Sequence, residues 1–269
     1  MSGAFDDFFG EVQHVIHDFL QSFFSEKPSS IALPHTFTVL DTDYSRYVEF
    51  VGTAHFSERS LSEAVEAVKV IKPVAITLEL CPYRYEFLQD ICKNCPRWGE
   101  CTQRCEFLAT VDELRKVDVD VWLIDMIQDE IAARVLATAS REEAKAWKRL
   151  QGYLARREEY GLELWEEGLK DEAMRLFDGD LKLMKETFPT LWRVLILERN
   201  ALMACRLIFI VSQYVEKSLE DFKVVVLTGA AHVKGLRELL TRPREAFQLL
   251  NHFGIAFSQP PLIKRTGGE

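Results

Sequence analysis

Two tetrads, Gly52-Thr53-Ala54-His55 and Gly229-Ala230-Ala231-His232, stand near opposite ends of the chain and constrain its fold more than any other feature. Each follows a run rich in apolar and β-branched residues, Tyr47 to Val51 and Val224 to Thr228, and each precedes a helix-like stretch. A glycine, two small residues and a histidine place an imidazole on a tight turn at the carboxyl end of a strand. In α/β folds that edge of the sheet is where ligands bind. One such turn is weak evidence. Two imply imidazoles that the fold brings to a single site.

The runs between the tetrads support a sheet. Val74 to Leu80 and Val119 to Ile124 are nearly continuous apolar stretches, as expected of strands buried on both faces. The first ends at Glu79 and the second at Asp125. Ser57 to Lys72 reads as a helix with Leu61, Ala64, Val65, Val68 and Ile71 inward, and Pro82 to Ile91 as another. Before the first tetrad, two strand-like runs between His35 and Val51 flank Asp41-Thr42-Asp43, a candidate hairpin turn. After the second come a helix from Val233 to Leu240, a further helix from Pro243 and a short strand near Ile255 to Phe257.

Residues 128–218 differ in kind: rich in Ala, Glu, Lys, Arg, Leu and Trp, they read as three to five helices punctuated near Gly161, Asp178-Gly179-Asp180 and Pro189. The expected fold is therefore α/β, a mostly parallel or mixed central sheet with helices on both faces and a large helical insertion. The expected organisation is an N-terminal amphipathic helix and linker over 1–30, one domain over 31–262 and a flexible tail over 263–269. The Phe-rich helix at residues 5–24 has an acidic polar face, which favours docking or homodimer formation over a membrane surface.

Composition narrows the partners. A net charge of −9 argues against a nucleic-acid surface and fits a neutral or cationic small ligand or peptide. No uncharged run is long enough to span a bilayer, and residues 1–10 lack the basic start of a signal peptide, so a cytoplasmic protein is expected. Serine-hydrolase, P-loop, dinucleotide and H-E-x-x-H signatures are absent.

The candidate chemistry lies at the strand ends. His55, His232 and Glu79 match the two-imidazole, one-carboxylate set that holds a divalent catalytic ion such as Zn, Mn or Co. Against this, a histidine after a strand is often structural, Glu79 has an ion-pair partner nearby in Arg84, and Asp125 serves equally as a turn or cap residue. Glu198-Arg199-Asn200 interrupts the apolar helix Leu191 to Val211. With about 100° per residue, at least one of the three points inward, as an interhelical salt bridge or as an oxyanion stabiliser or acid/base. Cys92, Cys95, Cys101 and Cys105 form C-x2-C-x5-C-x3-C, suited to structural Zn or an iron–sulfur cluster, with free thiols or disulfides as the alternatives.

Taken in order, Gly52-Thr53-Ala54-His55-Phe56-Ser57, Glu79-Leu80-Cys81-Pro82-Tyr83-Arg84, Glu198-Arg199-Asn200 and Gly229-Ala230-Ala231-His232-Val233-Lys234-Gly235 resemble the TraB/PrgY family, related to GumN proteins and Tiki metalloproteases. The resemblance runs over residues 45–240 and is nearest to the archaeal and eukaryotic TraB-domain branch. It implies an α/β core of the erythromycin esterase/ChaN kind. It also implies a metal-dependent peptidase site in which the two G-x-x-H histidines, His55 and His232, act with Glu79, while Arg84 and the Glu198-Arg199-Asn200 group match further family positions. A non-catalytic protein that sequesters a peptide or haem-like ligand in the same cleft is the alternative. Phe56 replaces the usual Val, and the cysteine loop is not a general family feature.

Overall fold

The computed structural model describes residues 42–55, 57–94, 119–217 and 221–264. Asp43 caps a 3-10 turn, Tyr44–Tyr47, by accepting a hydrogen bond from the Ser45 amide. Strand β1 (Val48–Thr53) follows, then α1 (Glu58–Ile71), β2 (Ala75–Leu78), α2 (Pro82–Asn94) and β3 (Asp120–Leu123). The helical insertion comprises α3 (Gln128–Thr138), α4 (Arg141–Glu166), α5 (Lys170–Thr187), and α6 (Pro189–Trp192), which runs through a π-turn (Arg193–Glu198) into α7 (Arg199–Glu216). Strand β4 (Val224–Gly229), helices α8 (Ala230–Thr241) and α9 (Pro243–His252) and strand β5 (Leu262–Lys264) complete the described chain.

The strand order is β1-β4-β2-β3-β5. The first three pairings are parallel and β5 runs antiparallel to β3, so the sheet is mixed, as expected. Side chains alternate across it with the two-residue period of a strand. Val224, Val226 and Ala75 face α7 and its neighbours, whereas Ile76, Leu78, Val225 and Leu227 face Ala64 and Val68 of α1. Helix α7 is buried all round from Ala201 to Val211, which explains its apolar composition on every face.

Within the insertion, the helix break expected near Pro189 is present, between α5 and α6, but those expected at Gly161 and Asp178-Gly179-Asp180 are not. Gly161 lies inside α4 and Asp178-Gly179-Asp180 inside α5. A Cβ at Gly161 would collide with the Phe177 ring, so this glycine permits close packing of α4 on α5 rather than a turn. Asp180 pairs with Arg157 across the same interface. The other breaks fall at Ser140, which forms a capping box with Glu143, and at Gly168, whose φ of +86° suits glycine.

The strand expected at Ile255 to Phe257 is irregular backbone. Ile255 is buried there, and Phe257 packs on Phe209 and Phe247. The final strand is Leu262–Lys264, so Ile263 and Lys264, expected in the tail, belong to the sheet. The Phe-rich helix at 5–24 and the first run of the expected hairpin lie outside the described residues. Among the described residues, no helix is long and apolar enough to cross a membrane.

Candidate functional site at the carboxyl edge of the sheet

Glu79 is the centre of the site. It follows β2, its amide donates to the Leu227 carbonyl (3.1 Å), and its side chain is 2% exposed. One carboxylate oxygen, Oε2, accepts hydrogen bonds from the Gly229 amide (2.7 Å) and the Thr228 hydroxyl. The other, Oε1, accepts one from Arg199 Nη2 and lies 3.3 Å from His232 Nε2. Burial opposes the charge, but His232, Arg199, His55 and the Thr228 hydroxyl outweigh it and hold the carboxyl well below the usual range.

Arg199 links this carboxylate to a second. Its Nε donates to Asp125 Oδ1 and its Nη2 to Asp125 Oδ2, both at 2.9 Å, a bidentate fork on the residue that follows β3. Burial works against the guanidinium charge, yet Asp125 and Glu79 together raise its proton affinity. Asp125 also accepts from the Met126 amide (2.7 Å) and from Arg84 Nη1 (3.4 Å). Arg84 therefore pairs with Asp125. The cation on Glu79 is Arg199, which is distant in sequence.

His232 lies in the first turn of α8, buried at 4% exposure, and its Nδ1 is 2.6 Å from Asn200 Oδ1. A carbonyl oxygen only accepts, so Nδ1 carries the proton and Nε2 presents its lone pair to Glu79. Burial pushes the imidazole pKa down to about 4, with Glu79 opposing. Gly235 makes the Asn200 contact reachable: a Cβ there would run into Asn200 Nδ2. His232 and Gly235 are three apart on α8 and so share a face, which α7 meets closely.

His55 is built differently. Two residues past β1, it sits on an exposed turn held by the Ala54 amide donating to Ser60 Oγ (3.0 Å) and the Ser57 amide to the Ala54 carbonyl (3.3 Å). Its Nε2 lies 3.0 Å, and Glu79 Oε2 3.5 Å, from the point that a Cβ on Gly229 would occupy. The absence of that one atom brings ring and carboxylate together.

All three residues of the Glu198-Arg199-Asn200 group are turned into protein, but they serve different neighbours. Arg199 reaches the carboxylates and Asn200 reaches His232. Glu198 pairs with Arg134 (3.3 Å) and Arg193 (3.0 Å), in a separate network that ties α3 to the π-turn. The π-turn immediately before Arg199 widens the helix where these side chains fan out, a feature often found at functional sites. Nothing in the local sequence marks it. Cys92 lies in the last turn of α2, with its side chain outside the described residues, as are Cys95, Cys101 and Cys105. Among the described residues, no three His, Cys, Asp or Glu side chains form a ready-made metal cage.

Two contributors were missed from sequence. Thr228 adds a hydroxyl to Glu79, and the buried Arg206 braces the end of β3 by donating to the Ile124 and Asp125 carbonyls. A cation within the apolar run Ala201 to Val211 was the available signal for the second.

No family model and no solved structure matches the chain. Among curated proteins, the TraB domain-containing protein of Bos taurus is 39% identical over 64 residues, 24% of this chain and 16% of its own. Its counterpart in Mus musculus is 38% identical over 64 residues, with the same shares. An uncharacterized protein of Methanocaldococcus jannaschii is 24% identical over 223 residues, 72% of this chain and 53% of its own. The chain thus spans about half of the archaeal relative and under a fifth of the mammalian ones. With the tetrads and the glutamate at one sheet edge, the chain is similar to TraB domain-containing proteins over about a quarter of its length.

Proposed function

We propose that this chain is a metal-dependent hydrolase acting on a peptide, in which His232, Glu79 and His55 hold a divalent ion such as Zn, Mn or Co. The observation that carries this reading is the 3.3 Å separation of His232 Nε2 and Glu79 Oε1. Asn200 takes the Nδ1 proton, and burial keeps the ring neutral at pH 7. Two electron-pair donors thus face each other in a dry site, an arrangement that favours an electrophile between them. Ligands on a tetrahedral zinc, with bonds of roughly 2.0–2.2 Å, stand about 3.4 Å apart. The donor spacing fits that edge, and His55 supplies the third nitrogen.

An ion held there supplies Lewis acidity and lowers the pKa of a bound water. The chain's own residues supply the rest. Asn200 fixes the His232 tautomer, as outer partners of metal-ligating histidines do. Arg199, locked on Asp125, keeps a fixed positive charge beside Glu79, suited to stabilising an oxyanion. Arg84, about a quarter exposed, is placed to meet a substrate carboxylate.

The test is Mn²⁺ binding to chelator-treated protein, read by electron paramagnetic resonance, because this ion favours carboxylate and imidazole over the thiolates of the cysteine loop. One site is expected, lost in His232→Ala and in Glu79→Gln, together with metal-dependent cleavage of a random peptide mixture. Equal Mn²⁺ binding by both variants would end the metal assignment. Saturable peptide binding without cleavage, indifferent to chelator, would favour the sequestering alternative.

A further inference from the structure

From Ala144 to Arg157 the sequence of α4 holds five basic residues and no acidic one, in a chain whose net charge is −9. The helix turns about 100° per residue, so Arg141, Lys145, Lys148, Arg149 and Arg156 fall within an arc of about 100° and form one row about 22 Å long. All five are exposed, and among the described residues none is in an ion pair. The inward side of the helix, marked by Glu143, Gly161, Leu164 and Trp165, lies opposite the row. Arg157 stands outside it and serves the fold, in its bridge to Asp180. Arg141, Lys145 and Arg149 follow one another at four-residue steps, where like charges repel and weaken a helix. A face kept only for solubility mixes its signs. This one does not.

Two neighbours of the row point the same way. Gly152 lies at its middle, and a Cβ there would meet only Arg156 Nη1, 4.0 Å away. Unlike Gly161 it answers no packing demand, although a glycine inside a helix weakens it. It leaves the centre of the row open to close approach. Tyr153 and Tyr160, 44% and 54% exposed, line one margin, within about 40° of Arg149 around the helix. The Arg157 guanidinium stands 5.6 Å from the Tyr153 ring centre. Rings with a polar tip suit the boundary between water and an apolar phase. The cations project from a convex helix, so they cannot enclose one small anion. They match an extended surface that carries many.

We infer that this face of α4 binds an anionic lipid surface, with the helix lying flat, the basic row on the headgroups and Tyr153 and Tyr160 in the interfacial layer. The negative charge of the rest of the chain is repelled by such a surface, so the row also sets the orientation. Near its carboxyl end the same helix docks on the two tetrads: Leu164 and Trp165 cluster with Ala230, and Ala54 packs against them. Arg156 and Trp165 are about 14 Å apart along the helix. Binding through the row therefore holds the carboxyl edge of the sheet near the membrane. The inference stands apart from the hydrolase reading and needs no turnover to be tested.

The experiment sediments the full chain with phosphatidylcholine vesicles made with and without phosphatidylserine. Binding is expected only where phosphatidylserine is present. It should be lost as salt rises from about 0.1 M to 1 M, which shortens the Debye length from about 10 Å to 3 Å. Lys148→Gln combined with Arg149→Gln should weaken binding about thirtyfold, at about fivefold per cation. Lys69→Gln combined with Lys182→Gln removes the same charge from exposed positions on α1 and α5 and should leave binding unchanged. Glutamine is a good helix former, so both pairs keep the fold, which circular dichroism checks. Equal binding to neutral vesicles, no binding to either kind, or binding that survives the Lys148 and Arg149 changes overturns the inference. Tighter binding to a homopolymeric RNA, which then strips the protein from the vesicles, overturns it too and gives the row to nucleic acid.

Discussion

The two tetrads are nearly the same words in sequence and different objects in space. In the second, Gly229 ends β4 and the helix begins at once, so His232 falls in the first turn of α8 and is buried against Asn200 and Glu79. In the first, the helix waits until Glu58, behind a Ser57 cap, and His55 is left on an exposed turn beneath α4. Where the helix starts decides whether the imidazole joins the core or stays exposed. A fixed histidine and an accessible one then flank a single carboxylate.

The contrast is most severely tested at Arg199, which holds the buried half together. Arg199→Met strands the Glu79 and Asp125 carboxylates in the interior, and urea melts should show a loss of about 3–5 kcal/mol. A loss below about 1 kcal/mol would mean that the buried half is far wetter than described. Next come the histidines themselves. His232→Ala leaves Asn200 without its partner and opens a cavity, so about 2 kcal/mol should be lost, whereas His55→Ala should stay within about 0.5 kcal/mol. Equal costs would erase the distinction.

The pH dependence of the metal-free protein sharpens the same point. Unfolded His232 takes its proton near pH 6.5, and the folded residue refuses it until about pH 4. The contribution of His232 is therefore complete above pH 6.5 and falls as pH drops through that window, because the unfolded state binds the extra proton. His232→Gln should remove this component of the slope, and His55→Gln should leave it in place. Below about pH 4.5 the lowered Glu79 carboxyl adds a loss of the same sign.

The glycines give the smallest effect and the clearest split. A Cβ at Gly52 would lie 3.1 Å from Val233 Cγ2 and 3.3 Å from the Ala230 backbone, so Gly52→Ala should cost about 1 kcal/mol of stability through overpacking. At Gly229 the same atom meets the His55 ring and the Glu79 carboxylate. Gly229→Ala should therefore melt nearly as the wild type does while losing most Mn²⁺ affinity.

The sheet and its functional edge were legible because buried parallel strands write themselves as apolar runs. The residues ending those runs, Glu79, Asp125 and the tetrads, needed no knowledge of packing. Which arginine meets Glu79 was not legible. Arg84 is near in sequence, but α2 carries it to Asp125, and α7 delivers Arg199 from far along the chain. Gly161 misled because a glycine that admits a neighbouring ring looks the same on paper as one that ends a helix.

The central pairing of β1 with β4 also has a cost in time. Thr53 and Thr228 touch across 175 positions, so a ribosome adding roughly 5–20 residues per second leaves β1 without that neighbour for about 10–35 seconds. During that interval the newborn amino-terminal half holds an apolar strand with nowhere to go. Chaperone demand and aggregation during synthesis should therefore peak before β4 emerges, and a circular permutant that makes β4 next to β1 should shorten that window.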